Sequence, residues 1–222
     1  MYRKLVIAID GPAASGKGTL ARRLAILLSC AHLETGLLYR LLAYRAMQAG
    51  IALEDEGELL PLIPTISVAD LKDPCLKEDY LGEASSRVAV HPKVRQCLVD
   101  FQRHFAAHPP EGMQGAILDG RDIGSVILPD APFKFYIDAK VQERARRRYQ
   151  EMQERGLMLS FADVLHDIKR RDYRDQNRKD APLQKSRGAH YIDTTHLTIN
   201  EAVGKVMAII TERQRGEGVI ET

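Results

Sequence analysis

The chain has 222 residues, 45% hydrophobic and 28% charged, which suits one α/β domain with a substantial core and room for a small insert. Its 32 basic and 30 acidic residues leave a net charge of +2, too balanced to announce a nucleic-acid partner. Three cysteines (Cys30, Cys75, Cys97) without paired spacing argue against a disulfide framework or zinc site, and no apolar run is long enough for a membrane span.

The first element is an apolar run, Leu5–Ile9, that reads as a buried strand starting within a few residues of the N-terminus. That leaves no room for a signal peptide, so the cytosol is the expected compartment. The run leads into Gly11, Pro12, Ala13, Ala14, Ser15, Gly16, Lys17, Gly18 and Thr19, and then into a helical pattern of Leu20, Leu24, Leu27 and Leu28. Strand, glycine loop and helix form the context that a P-loop requires, with backbone N–H groups and the helix N-terminus facing phosphate oxygens. A plain turn would not explain Lys17 at a helix start, where the helix dipole disfavours a cation. Where the common motif has a Mg²⁺-binding hydroxyl directly after the lysine, this chain has Gly18. The metal is therefore expected on waters and phosphates, with no direct side-chain ligand, an arrangement that resembles nucleoside monophosphate kinases.

A second helix is expected over about Leu37–Ala49, stopped by Gly50. Thr35 at its start and Arg40 one turn in can offer donors to an anion; alone they read better as an ordinary cap and a surface arginine. Residues 61–83, with Pro61, Pro64 and Pro74, read as an irregular insert with one or two short strands around Ile66 and Val68. Pro92 suits the first turn of a helix whose Val94, Leu98, Phe101 and Phe105 form a core stripe. Ala116–Leu118 is a strand ending in Asp119-Gly120-Arg121-Asp122. There an arginine can grip a phosphate bidentately, and a carboxylate can accept from the cytosine 4-amino group, which uracil lacks.

Phe133–Ile137 reads as a further strand, and Arg144, Arg147 and Arg148 lie on the helix after it. That basic helix reads as a solvated face or as a lid. Phe161, Val164, Leu165 and Ile168 form an apolar stripe that continues into Arg171, Arg174, Asp175 and Arg178, a face roughly 100° wide. The charged end is a helix leaving the core for water or one wall of an anion pocket. Tyr191-Ile192 begins a late strand, and Thr198 with Glu201 is a capping box opening the last helix. Strands alternating with helices imply a parallel sheet, with ligands beyond the carboxyl ends of its strands.

Together these segments resemble the bacterial cytidylate kinase family over nearly the whole chain. The resemblance is carried by Ile9–Thr19, Thr35-Gly36 with Tyr39-Arg40, Ser86, Pro92–Arg95, Asp119–Gly124, Arg171–Arg178 with Ala181-Pro182-Leu183, and Asp193-Thr194-Thr195. It implies a P-loop kinase, 1–222, with an acceptor-binding region over about 35–107 and a lid over about 142–160. The implied reaction moves the γ-phosphate of ATP, with Mg²⁺, to CMP or dCMP. By the resemblance Lys17, Arg121, Arg148 and Arg178 are catalytic, and residues 11–19 with Arg144 hold ATP. Thr35, Tyr39, Arg40 and Arg121 meet the acceptor near its phosphate, Ser86, Arg95 and Asp122 read cytosine, and Arg171, Asp175 and Arg178 hold the rest of the acceptor. A monomer without nucleic-acid or membrane partners is expected. The insert between about Ile66 and Ser86 is shorter than in the usual bacterial form, and Glu34 stands where the family often has aspartate. The alternatives are a P-loop kinase for UMP, AMP or a small metabolite, an ATP-binding regulatory module, and a nucleic-acid binder.

Overall fold

The computed structural model describes residues 4–218, and the reading of the residues before Lys4 lies outside them. Five strands form one parallel sheet: β1 (Leu5–Asp10), β2 (Cys30–Glu34), β3 (Gly115–Gly120), β4 (Phe133–Asp138) and β5 (His190–Asp193), in the order β2-β3-β1-β4-β5. Strand β1 lies in the middle, which is why its sequence is almost unbroken apolar residues. Its alternate side chains serve two cores: Val6 and Ala8 face one, Ile7 and Ile9 the other.

Helices α2 (Gly36–Gln48), α4 (Asp79–Val88) and α5 (Pro92–Ala107) cover the first face through Leu38, Leu42, Leu81, Val94 and Leu98. The expected stripe of α5 is thus core, and Gly50 ends the α2 segment with φ +70°. Helices α1 (Lys17–Leu27) and α8 (Ile199–Gly218) cover the second face through Leu20, Leu24, Val206 and Ile210. The capping box is present: Thr198 Oγ1 accepts from Glu201 N at 3.3 Å and Glu201 Oε2 from Thr198 N at 2.7 Å. Helices α6 (Val141–Glu154) and α7 (Phe161–Asn177) pack as a hairpin on a small cluster of their own, Ala145, Met152, Val164 and Ile168.

Two expectations change. The insert at 61–83 holds no strand: a short helix α3 (Glu56–Leu59) leads into 3-10 turns at Leu60–Thr65, Asp70–Lys72 and Pro74–Lys77, and α4 already starts at Asp79. Pro61 and Pro74 sit in the first turns of these short helices, so the prolines start turns instead of bounding strands. Strand β2 was not expected, because His32 and Glu34 break its sequence, CAHLE, which lacks a continuous apolar run.

Register sets the site. Ile9 pairs with Asp119, Asp10 with Gly120 and Tyr136, and Glu34 with Asp119, so the carboxyl ends of β1, β2 and β3 finish level and β4 runs two residues further. All three cysteines are free, and no described helix is long and apolar enough to cross a membrane. Phe135 is fully buried at the centre of the second core. Phe135→Ala is expected to lower unfolding free energy by about 3–5 kcal/mol in urea titration, since the cavity cannot collapse inside a sheet.

Candidate active site

The P-loop is shaped by its glycines and the free end of α1. Gly16 is left-handed at φ +87° and caps α1 without any side-chain hydrogen bond, leaving the first N–H groups available to phosphate oxygens. Gly11 is there for closeness, because a Cβ would stand 2.0 Å from the Ile137 carbonyl oxygen. Lys17 folds back over the loop, its Nζ donating to Pro12 O at 3.2 Å. Burial, then the nearby Arg121 guanidinium, push the Lys17 ammonium down to about 7.

A cavity of about 250 Å³ opens from this loop, lined at one end by Ala13, Ala14 and Lys17. Thr35, Tyr39, Arg40, Ser86, Arg95, Arg121, Asp122, Arg148, Arg171, Asp175 and Arg178 line the remainder. Every acceptor residue expected from sequence therefore faces one cleft, although they come from α2, α4, α5, the end of α7 and the loops after β2 and β3. A second cavity, about 200 Å³, lies on the other side of the loop between Ser15, Gly16, Thr19 and Arg147, Thr194, Leu197.

Most of these cations have a partner that aims them. Arg121 Nε donates to Asp175 Oδ2 at 2.6 Å. Burial alone would raise the Asp175 pKa, but Arg121, Arg171 and Arg178 hold it below the usual carboxylate value. Arg95 is ion-paired to Asp122, and Arg178 reaches the other Asp122 oxygen at 3.5 Å. Tyr39 lies under Arg95, ring centroid 5.9 Å from its guanidinium carbon. Arg40 donates to the carbonyls of Leu76 at 2.7 Å and Glu78 at 3.3 Å, so the turns of the insert position it. Arg148 pairs with Asp79 and, at 2.8 Å, with Glu151. Arg171 has a buried Nε without a hydrogen-bond partner, and burial with the neighbouring Arg121 pushes it down to about 10. The Thr35 hydroxyl donates to Asp119 O at 2.9 Å and so ties α2 to β3.

Arg144 stands apart from the cavity lining. It is buried, donating to Ala139 O at 2.9 Å and Ala13 O at 3.2 Å and pairing with Asp172 at 2.6 Å. It braces α6 and α7 against the back of the P-loop. Gly11, Pro12 and Gly18 lie outside both linings, and Arg174 turns away to Glu83 at 2.9 Å. Sequence reasoning gave no role to Asp79, Glu151 or Asp10, and placed Arg147 only on a basic helix that could be a lid. Arg147 donates to Thr194 Oγ1 at 3.1 Å beside the second cavity. Only Asp10 left a signal, as a carboxylate ending a buried apolar strand.

A family profile described as cytidylate kinase matches residues 7–212. The chain belongs to the cytidylate kinase family. A cytidylate kinase from Azorhizobium caulinodans is 49% identical over 212 residues, covering 96% of this chain and 100% of that protein. One from Bartonella tribocorum is 46% identical over 197 residues, covering 89% and 90%. A solved gluconokinase from Sinorhizobium meliloti superposes with a TM-score of 0.52 at 12% identity, covering 100% of both chains, a likeness of fold alone.

The kinase's lysine gives a measurable proton balance. With the Lys17 pKa near 7 in the free protein, its amino group is mostly the neutral amine at about pH 8. Phosphate charge favours the cationic form, so binding raises the pKa and draws in a proton. Calorimetry of ATP binding in buffers of different ionisation enthalpy should record uptake of roughly one proton at about pH 8. The Lys17→Ala protein should show none and should lose turnover while its melting temperature stays unchanged.

Proposed function

We propose that the chain transfers the γ-phosphate of ATP to CMP or dCMP in the cytosol, with the donor phosphates in the loop of residues 11–19 and the acceptor in the arginine-lined cleft. The observation that carries this reading is the continuity of one cavity from Lys17 to the Arg95–Asp122 pair. Lys17, Arg121, Arg148 and Arg178 serve the moving phosphoryl group, and Thr35 and Arg40 the acceptor phosphate. Arg171 and Asp175 meet the ribose, and Ser86, Arg95 and Asp122 the base, with Tyr39 alongside. Action as a monomer without nucleic-acid partners is part of the same proposal.

Phosphoryl transfer asks little covalent chemistry of a protein; it asks for alignment, charge neutralisation and dryness. An acceptor phosphate has a second pKa of about 6 and is ionised at neutral pH, so no general base is assigned. The arginines are worth most where charge spreads over the equatorial oxygens in flight, roughly 10³–10⁵ in rate for one well-placed group. Water near ATP would cause hydrolysis, so the α6–α7 hairpin and the 35–107 region are assigned to close over both nucleotides.

The residues present suit a hydrated magnesium ion. A Cβ at Gly18 would stand 3.9 Å from Asp119 Oδ1 and 4.0 Å from Glu34 Oε2, so two carboxylates face the place of the missing P-loop hydroxyl. Oxygen donors of this kind suit Mg²⁺ that keeps its waters, and the ion would supply charge neutralisation of donor phosphates. Asp119 is itself held by His32 Nε2 at 2.7 Å.

A panel of CMP, dCMP, UMP and AMP in a coupled ADP-release assay tests the reading. CMP and dCMP should drive ADP formation far faster than UMP or AMP; ADP formation indifferent to CMP would refute it. Asp122→Asn should lower kcat/KM for CMP relative to UMP by roughly tenfold or more, because an amide can turn a donor toward the base amino group. An unchanged ratio removes Asp122 from base recognition.

A further inference from the structure

Asp10 closes β1 directly before Gly11, and only 1% of its surface is exposed. Its Oδ1 accepts from Ile123 N at 2.7 Å and its Oδ2 from Gly124 N at 2.8 Å. Those residues directly follow Arg121 and Asp122. We propose that Asp10 is a positioning residue, whose carboxylate locks the loop carrying Arg121 and Asp122 to the phosphate-binding loop and so fixes the spacing between acceptor and donor. The inference rests on the functional reading above, in which Arg121 and Asp122 face the acceptor.

Three observations support the lock. First, Ile123–Ile127 is a wide π-type turn whose opening N–H groups have no partner inside the turn. One carboxylate meets two of them at once. Asp122 O in turn accepts from Val126 N at 2.9 Å and Ile127 N at 3.2 Å, so the turn that Asp10 anchors also fixes the Asp122 backbone. Second, the fit has no slack. A Cβ at Gly124 would stand 2.7 Å from Ser186 Oγ, 3.1 Å from Lys134 Cδ and 3.3 Å from Asp10 Oδ2. Third, a buried carboxylate is costly, and an apolar residue would end β1 at lower cost. Burial pushes Asp10 up to about 7, against the pull of the Gly124 and Ile123 N–H groups. Asp10 does not line either cavity, so it works only through the loops it joins.

The test is a split between the two substrates. In Asp10→Asn the amide offers one acceptor and one donor, so one of the two loop N–H groups loses its partner. KM for CMP should rise about tenfold, the worth of one charge-assisted hydrogen bond, while KM for ATP stays within about twofold. A purely structural residue would lower the melting temperature and the active fraction and leave both KM values alone. Unchanged KM values, or a parallel rise in both, would overturn the lock. If Asp10→Asn does not fold, Gly124→Ala decides: it keeps the Asp10 carboxylate but crowds Ser186 and Asp10, pushing the loop off its anchor. It should reproduce the CMP-selective rise, and a normal KM for CMP would overturn the proposal. A wild-type protein without CMP-dependent ADP formation would sink the functional reading instead, so the two failures are distinguishable.

Discussion

Six guanidinium groups and one ammonium share a single cleft with five carboxylates, and this imbalance governs what surrounds it. Like charges so close repel unless each is braced. The carboxylates do that one by one: Asp175 for Arg121, Asp122 for Arg95, and Asp79, beyond the lining, for Arg148. What remains is an excess of positive charge and a buried Arg171 Nε with nothing to bond. Phosphate groups are the ligands that complete such a set, because they bring both the charge and the acceptor oxygens. The cost of holding the cleft open for them falls on the two hydrophobic cores that clamp the sheet.

Parallel strands make that concentration possible. The carboxyl ends of β1, β2 and β3 finish level, so loops distant in sequence meet in one layer. Glu34, Asp119 and the phosphate loop arrive there from three strands without any long-range loop. The hydroxyl of Thr35 and the carboxylate of Asp10 then stitch the layer across strands.

The sequence announced what depends on local pattern. The phosphate loop is continuous in sequence, and its glycines and lysine could be assigned from their spacing alone. The face of Arg171, Asp175 and Arg178 followed from the period of a helix whose apolar stripe was plain, and the structure turns three of its four polar residues into the cleft. Arg174, the fourth, is drawn off by Glu83, a partner ninety-one positions away that no local pattern reveals. The same holds for Arg144: its basic helix was visible, but its burial against the Ala13 carbonyl depends on packing. Strand β2 escaped because His32 and Glu34 interrupt its short apolar run, and the insert misled because its prolines open 3-10 turns as readily as they interrupt strands.

The α6–α7 hairpin rests on four fully packed apolar side chains, far fewer than either main core. Its tip is otherwise fastened by charge: Arg148 to Asp79, Arg155 to Asp79 at 3.4 Å and to Glu78 at 3.5 Å. Contacts of that kind weaken as the Debye length shrinks, to about 8 Å at physiological salt. With a smaller core of its own, the hairpin is expected to unfasten before the sheet does. Added electrolyte should loosen it, and backbone amides there should trade hydrogen for deuterium ahead of those in the strands.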